Sequence, residues 1–189
     1  MTDAEIGVLR ECFSKAASLV EFGSGGSTLL AVRSPSLRRI WSVESDPAWL
    51  ATLRAQPDVV AAEQDGRLQL QHADIGTTGD HGAPLGDESQ ATWPAYHEAV
   101  WSDPATAGAD LVLIDGRFRV ACAMAALASC QAHTILLFHD FWTRPTYHPV
   151  LAFADWLGSC DSLAILRRKP TFDSTKFEAV RNAHRLQPD

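Results

Sequence analysis

The sequence predicts an α/β fold built on a doubly wound, mainly parallel sheet with helices on both faces. Three observations carry that expectation. Short apolar stretches of strand character alternate with helical stretches along the whole 189-residue chain. A glycine-crowded turn, "EFGSGG" at 21–26, separates the first strand-like stretch from the helix after it. No repeat, low-complexity tract or linker interrupts the alternation, so residues 1–189 read as a single domain.

The elements follow in order. Thr2 or Asp3 caps a first helix in which Ile6, Leu9, Cys12 and Phe13 recur at helical spacing. "SLVEF" at 18–22 reads as a short buried strand, with the glycine turn next and a helix opening near Ser27 and Thr28. "RRIWSVES" is a second strand ending at Glu44, and "DPAWLATLRAQ" is a helix with Asp46 as N-cap and Pro47 at its first position. "GRLQLQHADI" alternates as a third strand. Residues 76–104 break the rhythm with glycine, proline and polar residues, and they set Trp93, Tyr96 and Trp101 among these. A loop this long inside a small domain reads as a binding loop that orders around a ligand. "ADLVLID" is a fourth strand ending at Asp115, "RFRVACAMAALASC" a helix and "HTILLFHDF" a fifth strand. "YHPVLAFADWLGSC" reads as a helix and "DSLAILRRK" as a strand, while "TKFEAVRNAHR" fits either. Trp49 and Trp156 fall at helical spacing and read as core.

Bulk properties exclude some functions. A formal net charge of −7 and a pI near 5.4 argue against a nucleic-acid partner, which wants a basic face. The basic clusters Arg38-Arg39 and Arg167-Arg168-Lys169 are short and read as solvated element ends. Cys12, Cys122, Cys130 and Cys160 form no CxxC pair and read as free thiols in a reducing compartment. No apolar run approaches the roughly 20 residues that cross a bilayer. The N-terminus is acidic and amphipathic rather than basic and then apolar. The expectation is a cytoplasmic protein without a membrane partner.

In sheets of this kind ligands bind beyond the carboxyl ends of the strands. Those ends carry Glu21-Phe22-Gly23, Glu44, Asp74, Asp115 and His139-Asp140, an acid at every one. The glycine turn lets a ligand approach the backbone without Cβ clashes and opens the positive end of a helix. Glu44 follows that turn by about 20 residues, where an acid accepts hydrogen bonds from ribose hydroxyls. A dinucleotide would also use such a pair, but Thr28 stands where the third glycine of its fingerprint belongs. The charge of Glu21 suits a cationic ligand better than a pyrophosphate. A nicotinamide-dependent oxidoreductase and a non-catalytic cofactor-binding domain stay open as alternatives.

Other residues carry two readings each. Asp115 is a helix cap or a ligand contact. His139 is a structural histidine or a general base, its ordinary pKa of ~6.5 allowing it to take a hydroxyl proton. Arg117, Arg119 and Arg144 are solvated, or they grip a carboxylate or phosphate. Trp142 and Tyr147 are core or pocket wall. His133 and His184 read as structural or exposed.

"VEFGSGGST" resembles the first motif of class I S-adenosylmethionine-dependent methyltransferases. "WSVESD" is similar to their second motif, with its ribose-binding acid, and "HADI" to their third, whose acid commonly faces the adenine amino group. "DLVLIDGRFRVACAMAAL" and "TILLFHDFWTRPTYHPV" are similar to their fourth and fifth strands, so the resemblance spans roughly residues 15–170. It implies a Rossmann-like sheet of about seven strands, with methyl transfer from S-adenosyl-L-methionine to a small-molecule acceptor, oxygen before nitrogen. The cofactor contacts it implies are Glu21, Phe22, Gly23, Ser24, Gly25, Ser27, Thr28, Glu44, Ser45, Asp74, Ile75 and Asp115. His139 and Asp140 would be catalytic, and Arg117, Arg144, Trp93 and Tyr96 would meet the acceptor.

"LIDGRFR" and "LLFHDF" are further similar to branches whose acids after strands four and five bind a divalent metal. These are the caffeoyl-CoA-type, macrolide-sugar and glucuronoxylan 4-O-methyltransferases. That likeness implies Asp115 and Asp140 as ligands of a metal such as magnesium, with Phe141 where the catechol enzymes carry an asparagine. The acceptor's proton then goes to His139, or the metal lowers the acceptor's pKa, while the loop 76–101 closes over the site. The sequence leaves the acceptor and the oligomeric state open, a homodimer included.

Overall fold

The computed structural model describes residues 1–189. α1 (Asp3–Lys15), β1 (Ser18–Phe22), α2 (Gly26–Val32), β2 (Arg39–Glu44), α3 (Pro47–Arg54), α4 (Pro57–Gln64) and β3 (Leu68–His72) form the first half. After a long connection come α5 (Pro94–Glu98), β4 (Leu111–Ile114), α6 (Arg119–Ser129) and β5 (Ile135–Phe138). β6 (Ala154–Cys160), β7 (Leu163–Arg168) and α7 (Ser174–His184) complete the chain. One seven-stranded sheet has the order β3-β2-β1-β4-β5-β7-β6. The first five strands pair in parallel, and β7 runs antiparallel to both its neighbours.

The strands read as continuous apolar runs because the central ones are buried on both faces. Along β4, Leu111 and Leu113 pack with Leu9 and Phe13 of α1, Leu50 and Leu53 of α3, and Val59 of α4. Val112 and Ile114 point the other way, into a cluster with Tyr96 of α5, most of α6 and Phe177 of α7. Local chemistry starts the helices where the sequence expects. Thr2 caps α1 in a reciprocal capping box with Glu5, and Asp46 caps α3 with Pro47 behind it. No helix is long and apolar enough to cross a membrane.

Four expectations are corrected. "YHPVLAFADWLGSC" is not a helix: Pro145–Ala152 forms a 3-10 segment and Ala154–Cys160 is β6. Pro149 cannot sit in an α-helix interior. Asp161, in the left-handed region at φ 47°, turns β6 into a hairpin with β7. Trp156, read as core, is 59% exposed on this edge strand, and Trp49 is 44% exposed. The 76–104 connection is ordered by its own contacts. Thr78 bridges to Pro84, and Trp93 and Tyr96 are buried in the core. Its aromatic half is therefore a fixed layer over α6 rather than a lid. The ambiguous "TKFEAVRNAHR" is helical, capped by Asp173 through the Lys176 amide.

Candidate active site

β1 ends at Phe22 and the chain turns at Gly23, whose φ is 93°. A Cβ there would lie 2.5 Å from Gly116 Cα, so both conformation and contact demand glycine. Glu21 lies beneath the turn with no exposed surface. It accepts hydrogen bonds from the hydroxyls of Ser27 (2.5 Å), Thr28 (2.6 Å) and Ser42 (2.5 Å). The Thr28 hydroxyl also accepts from the Gly25 amide at 2.8 Å, so the acid braces the turn from below. Burial pushes its carboxyl up to about 7, against those three bonds and with the charge of Asp115 adding to the rise. Glu21 does not line the cleft, and Phe22 is core, its ring 6.2 Å from that of Tyr96.

Glu44, at the end of β2, is nearly buried. Its Oε1 accepts from the amides of Ser45 (2.7 Å) and Asp46 (2.9 Å) and from the Ser45 hydroxyl (3.2 Å). Its Oε2 accepts only from the Ser24 amide (3.1 Å), which leaves that oxygen capacity for a ligand hydroxyl. Burial raises the Glu44 pKa against these bonds. His81 and Gly82 reach over this end of the cleft. Gly82 has φ 70°, and a Cβ on it would fall 2.7 Å from Ser45 Oγ. Trp49 forms another part of the wall, its Nε1 donating to the Ser24 carbonyl at 2.7 Å. Sequence reasoning missed all three. The signal for Trp49 was an aromatic in the first turn of the helix that follows the acid. Asp74 is exposed and closes its own turn through the Gly76 amide, while Ile75 is buried and its carbonyl accepts from Trp93 Nε1. Neither lines the cleft.

The ends of β4 and β5 bring Asp115, His139 and Asp140 together, with Arg119 between the acids. Arg119 is 4% exposed. It reaches Asp115 Oδ1 at 3.3 Å and Asp140 Oδ2 at 3.1 Å, and donates to the carbonyls of Gly116 and His139, both at 2.9 Å. Phe118 and Asp140 adopt left-handed backbone, φ 53° and 59°. Such strain persists where the surroundings over-determine it, and functional sites are where it gathers.

His139 is held by an acid on each ring nitrogen. Nδ1 lies 2.8 Å from Asp115 Oδ1, and Nε2 lies 3.2 Å from Oε2 of the buried Glu5. Burial works against charging the ring, but the bond to Asp115 and the charges of Asp115, Asp140 and Glu5 outweigh it and raise the pKa. Burial likewise pushes Glu5 up. Bonds from the Ser162 hydroxyl (2.7 Å) and the Thr2 amide (2.8 Å), with the His139 charge, bring it down to about 2. Both ring nitrogens are thus occupied by carboxylate partners, an arrangement that favours the charged ring. This corrects the general-base reading: neither ring nitrogen is free to take an acceptor's proton.

The metal reading is corrected as well. Asp115 and Asp140 already share a guanidinium, and a dication would have to displace a buried arginine from four acceptors. Nowhere do three or more His, Cys, Asp or Glu side chains form a metal-holding group. Phe141, in the place of the asparagine ligand, is core, 5.0 Å from the Phe138 ring.

The expected acceptor contacts divide. Trp93 is buried against Phe118. Tyr96 offers only its hydroxyl region to the cleft, and that oxygen accepts from the Arg117 amide at 3.2 Å. Arg144 is tied to Asp140 (3.3 Å) and to the Tyr147 hydroxyl (3.0 Å). Arg117 lines the cleft. The whole forms a cleft of about 1040 Å³ running from Trp49 and Glu44, over Gly23–Gly26, to Asp115 and Asp140.

No family model matches the chain, and no curated protein matches it. Among solved structures, a methyltransferase-like protein from Silicibacter pomeroyi is 32% identical, with a TM-score of 0.87 over 100% of this chain and 96% of that one. The O-methyltransferase TomG from Streptomyces achromogenes, solved in complex with SAM, shares the fold at 13% identity. Its TM-score is 0.53, over 88% of this chain and 79% of that one. With 32% identity to the first over the whole chain, the shared sheet, and the glycine turn and Glu44 at the strand ends, the chain belongs to the class I S-adenosylmethionine-dependent methyltransferases.

Proposed function

We propose that the protein transfers a methyl group from S-adenosyl-L-methionine to an oxygen of a small-molecule acceptor. The observation that carries this reading is one continuous cleft joining Glu44 Oε2, with its spare acceptor capacity, to the acids at the ends of β4 and β5. Bound there, S-adenosylmethionine supplies a methyl group made electrophilic by its sulfonium. Glu44 receives ribose hydroxyls, the backbone of Gly23–Gly25 forms the floor, and Trp49 stands beside the nucleoside end. Asp115 Oδ2, which accepts no hydrogen bond within the protein, receives the ammonium of the methionyl end. Glu21 acts from beneath by keeping the turn in shape.

Asp140 accepts the acceptor's proton as the new bond forms, while His139 and Arg119 position the two aspartates. Holding the acceptor in line removes ~7–11 kcal/mol of barrier, more than any single proton transfer here contributes. A divalent metal has no part in this reading. In this reading the protein acts in the cytoplasm, with neither nucleic acid nor membrane as a partner.

Calorimetry tests it first. S-adenosylmethionine or S-adenosylhomocysteine should bind with a micromolar Kd, roughly −8 kcal/mol. Heat with a nicotinamide dinucleotide and none with either compound would overturn the proposal in favour of an oxidoreductase. Release of S-adenosylhomocysteine in a screen of small hydroxyl compounds then separates an enzyme from a binding domain. Asp140→Asn should lose that turnover and keep cofactor affinity.

A further inference from the structure

The arginines around the cleft are not equivalent. Arg33 pairs with Asp58 at 2.7 Å, Arg119 with Asp115 and Asp140, and Arg144 with Asp140, while Arg10 of α1, also without an ion pair, is exposed to solvent that can satisfy it. Arg117 pairs with nothing: its buried Nε meets no acceptor, its side chain donates no hydrogen bond, and it forms no ion pair. Its charge reaches Asp189, but that carboxylate is engaged by the Arg119 amide at 3.0 Å. A partly desolvated cation without a partner is costly. This chain, at −7, has acids enough to supply one.

The backbone holds Arg117 where it is. Phe118, left-handed and fully buried, is wedged between the rings of Trp93 (5.6 Å) and Tyr96 (5.5 Å). The turn it makes sends Arg119 inward to the acid pair and leaves Arg117 on the cleft wall. We propose that Arg117 is the receptor for a carboxylate or phosphate of a ligand in the cleft, gripped in two-point contact by its guanidinium fork. The inference rests on the methyl-transfer reading of the cleft. The anion belongs to the acceptor or to the methionyl end of the cofactor, two sources of the same chemistry.

The test is calorimetric. Wild type, Arg117→Met and Arg117→Lys are titrated with S-adenosylhomocysteine and with its decarboxylated analogue. Succinate and inorganic phosphate are titrated into the free and the S-adenosylhomocysteine-loaded protein. If the cofactor supplies the anion, wild type prefers the carboxylate-bearing nucleoside by about tenfold or more, and Arg117→Met erases the preference. If the acceptor supplies it, both nucleosides bind every variant alike, while succinate or phosphate binding falls about tenfold in Arg117→Met and is largely kept in Arg117→Lys. No change in any of these affinities overturns the proposal. So does a lowered thermal midpoint in Arg117→Met, which would make the residue structural; an unbonded side chain should leave the midpoint unchanged or raise it. If S-adenosylhomocysteine binds no variant but Arg117→Met still loses succinate or phosphate, the methyl-transfer reading fails and the anion receptor stands.

Discussion

Gly23 and Gly116 meet backbone to backbone. A Cβ on Gly23 would fall 2.5 Å from Gly116 Cα, and one on Gly116 would fall 2.7 Å from the Gly23 amide nitrogen. The turns after β1 and β4, neighbours in the sheet, thus close the cleft floor with no side chain between them. This explains why the glycine turn answers to a residue far along the chain as well as to a ligand.

Gly23→Ala should destabilise the fold by about 3 kcal/mol, from the positive φ and the clash together. Gly116→Ala should do similar damage, because its Cβ would also meet the Tyr96 hydroxyl. Adding Tyr96→Phe removes that hydroxyl but not the Gly23 backbone, so the double variant should stay destabilised. Denaturant unfolding reads all three. Full rescue by Tyr96→Phe would show that the two turns can part.

Glu44→Ala should weaken S-adenosylhomocysteine binding by about 1–3 kcal/mol, and it strands the amides of Ser24, Ser45 and Asp46 as well. Stability and affinity should therefore fall together. Unfolding and calorimetry on one preparation check this. Loss of stability with affinity intact would mean that the ribose is held elsewhere, with Glu44 a purely structural cap.

The legible parts of the fold were those with local causes. β1 to β5 announce themselves as apolar runs between turn residues, and the acids that end them follow from parallel topology. β6 did not, because an edge strand with Trp156 and Leu157 facing solvent has no buried face to impose alternation. The partners within the site were hidden for another reason. Glu5 reaches His139 across a separation of 134 residues, and Arg119 rather than Arg117 turns inward because Phe118 is left-handed. Neither relation has a sequence period. They decide the chemistry all the same, converting an expected histidine base and metal site into two acids positioned by His139 and Arg119.

Glu21 makes stability depend on pH in a definite direction. An acid whose folded pKa is raised from 4.5 to about 7 contributes most below its unfolded pKa and loses that contribution as pH rises through the folded one. Wild type should lose about 3 kcal/mol between pH 4.5 and pH 7.5 relative to Glu21→Gln, which carries no charge to bury. Comparing the two proteins cancels the other titrating groups, His139 and Glu5 among them. Parallel stability curves across that window would mean that the three hydroxyls solvate the carboxylate fully.

Arg119 occupies the place that two strand-end acids would otherwise offer to a metal. Three consequences separate the arginine from the ion. Chelator should leave turnover and thermal midpoint of the wild type unchanged, since Asp115 and Asp140 are already neutralised at 3.3 and 3.1 Å. Arg119→Met should cost about 1–3 kcal/mol, less than for a fully buried pair, because the two carboxylates are partly exposed and keep His139 and Arg144 as partners. Arg119→Ala empties the space between the two carboxylates, so manganese should raise the midpoint of that variant and leave the wild type where it was. A midpoint that rises with manganese in the wild type, or turnover that chelator abolishes, would return the site to the metal-dependent branch. Insensitivity of both proteins would leave Arg119 as the organiser of the pair and show that two aspartates beside an imidazole cannot hold a hard ion here. The physical ground for expecting the variant alone to respond is ligand chemistry. A hard cation wants several oxygens, and removal of the guanidinium takes away the one cation that bridges Asp115 Oδ1 and Asp140 Oδ2.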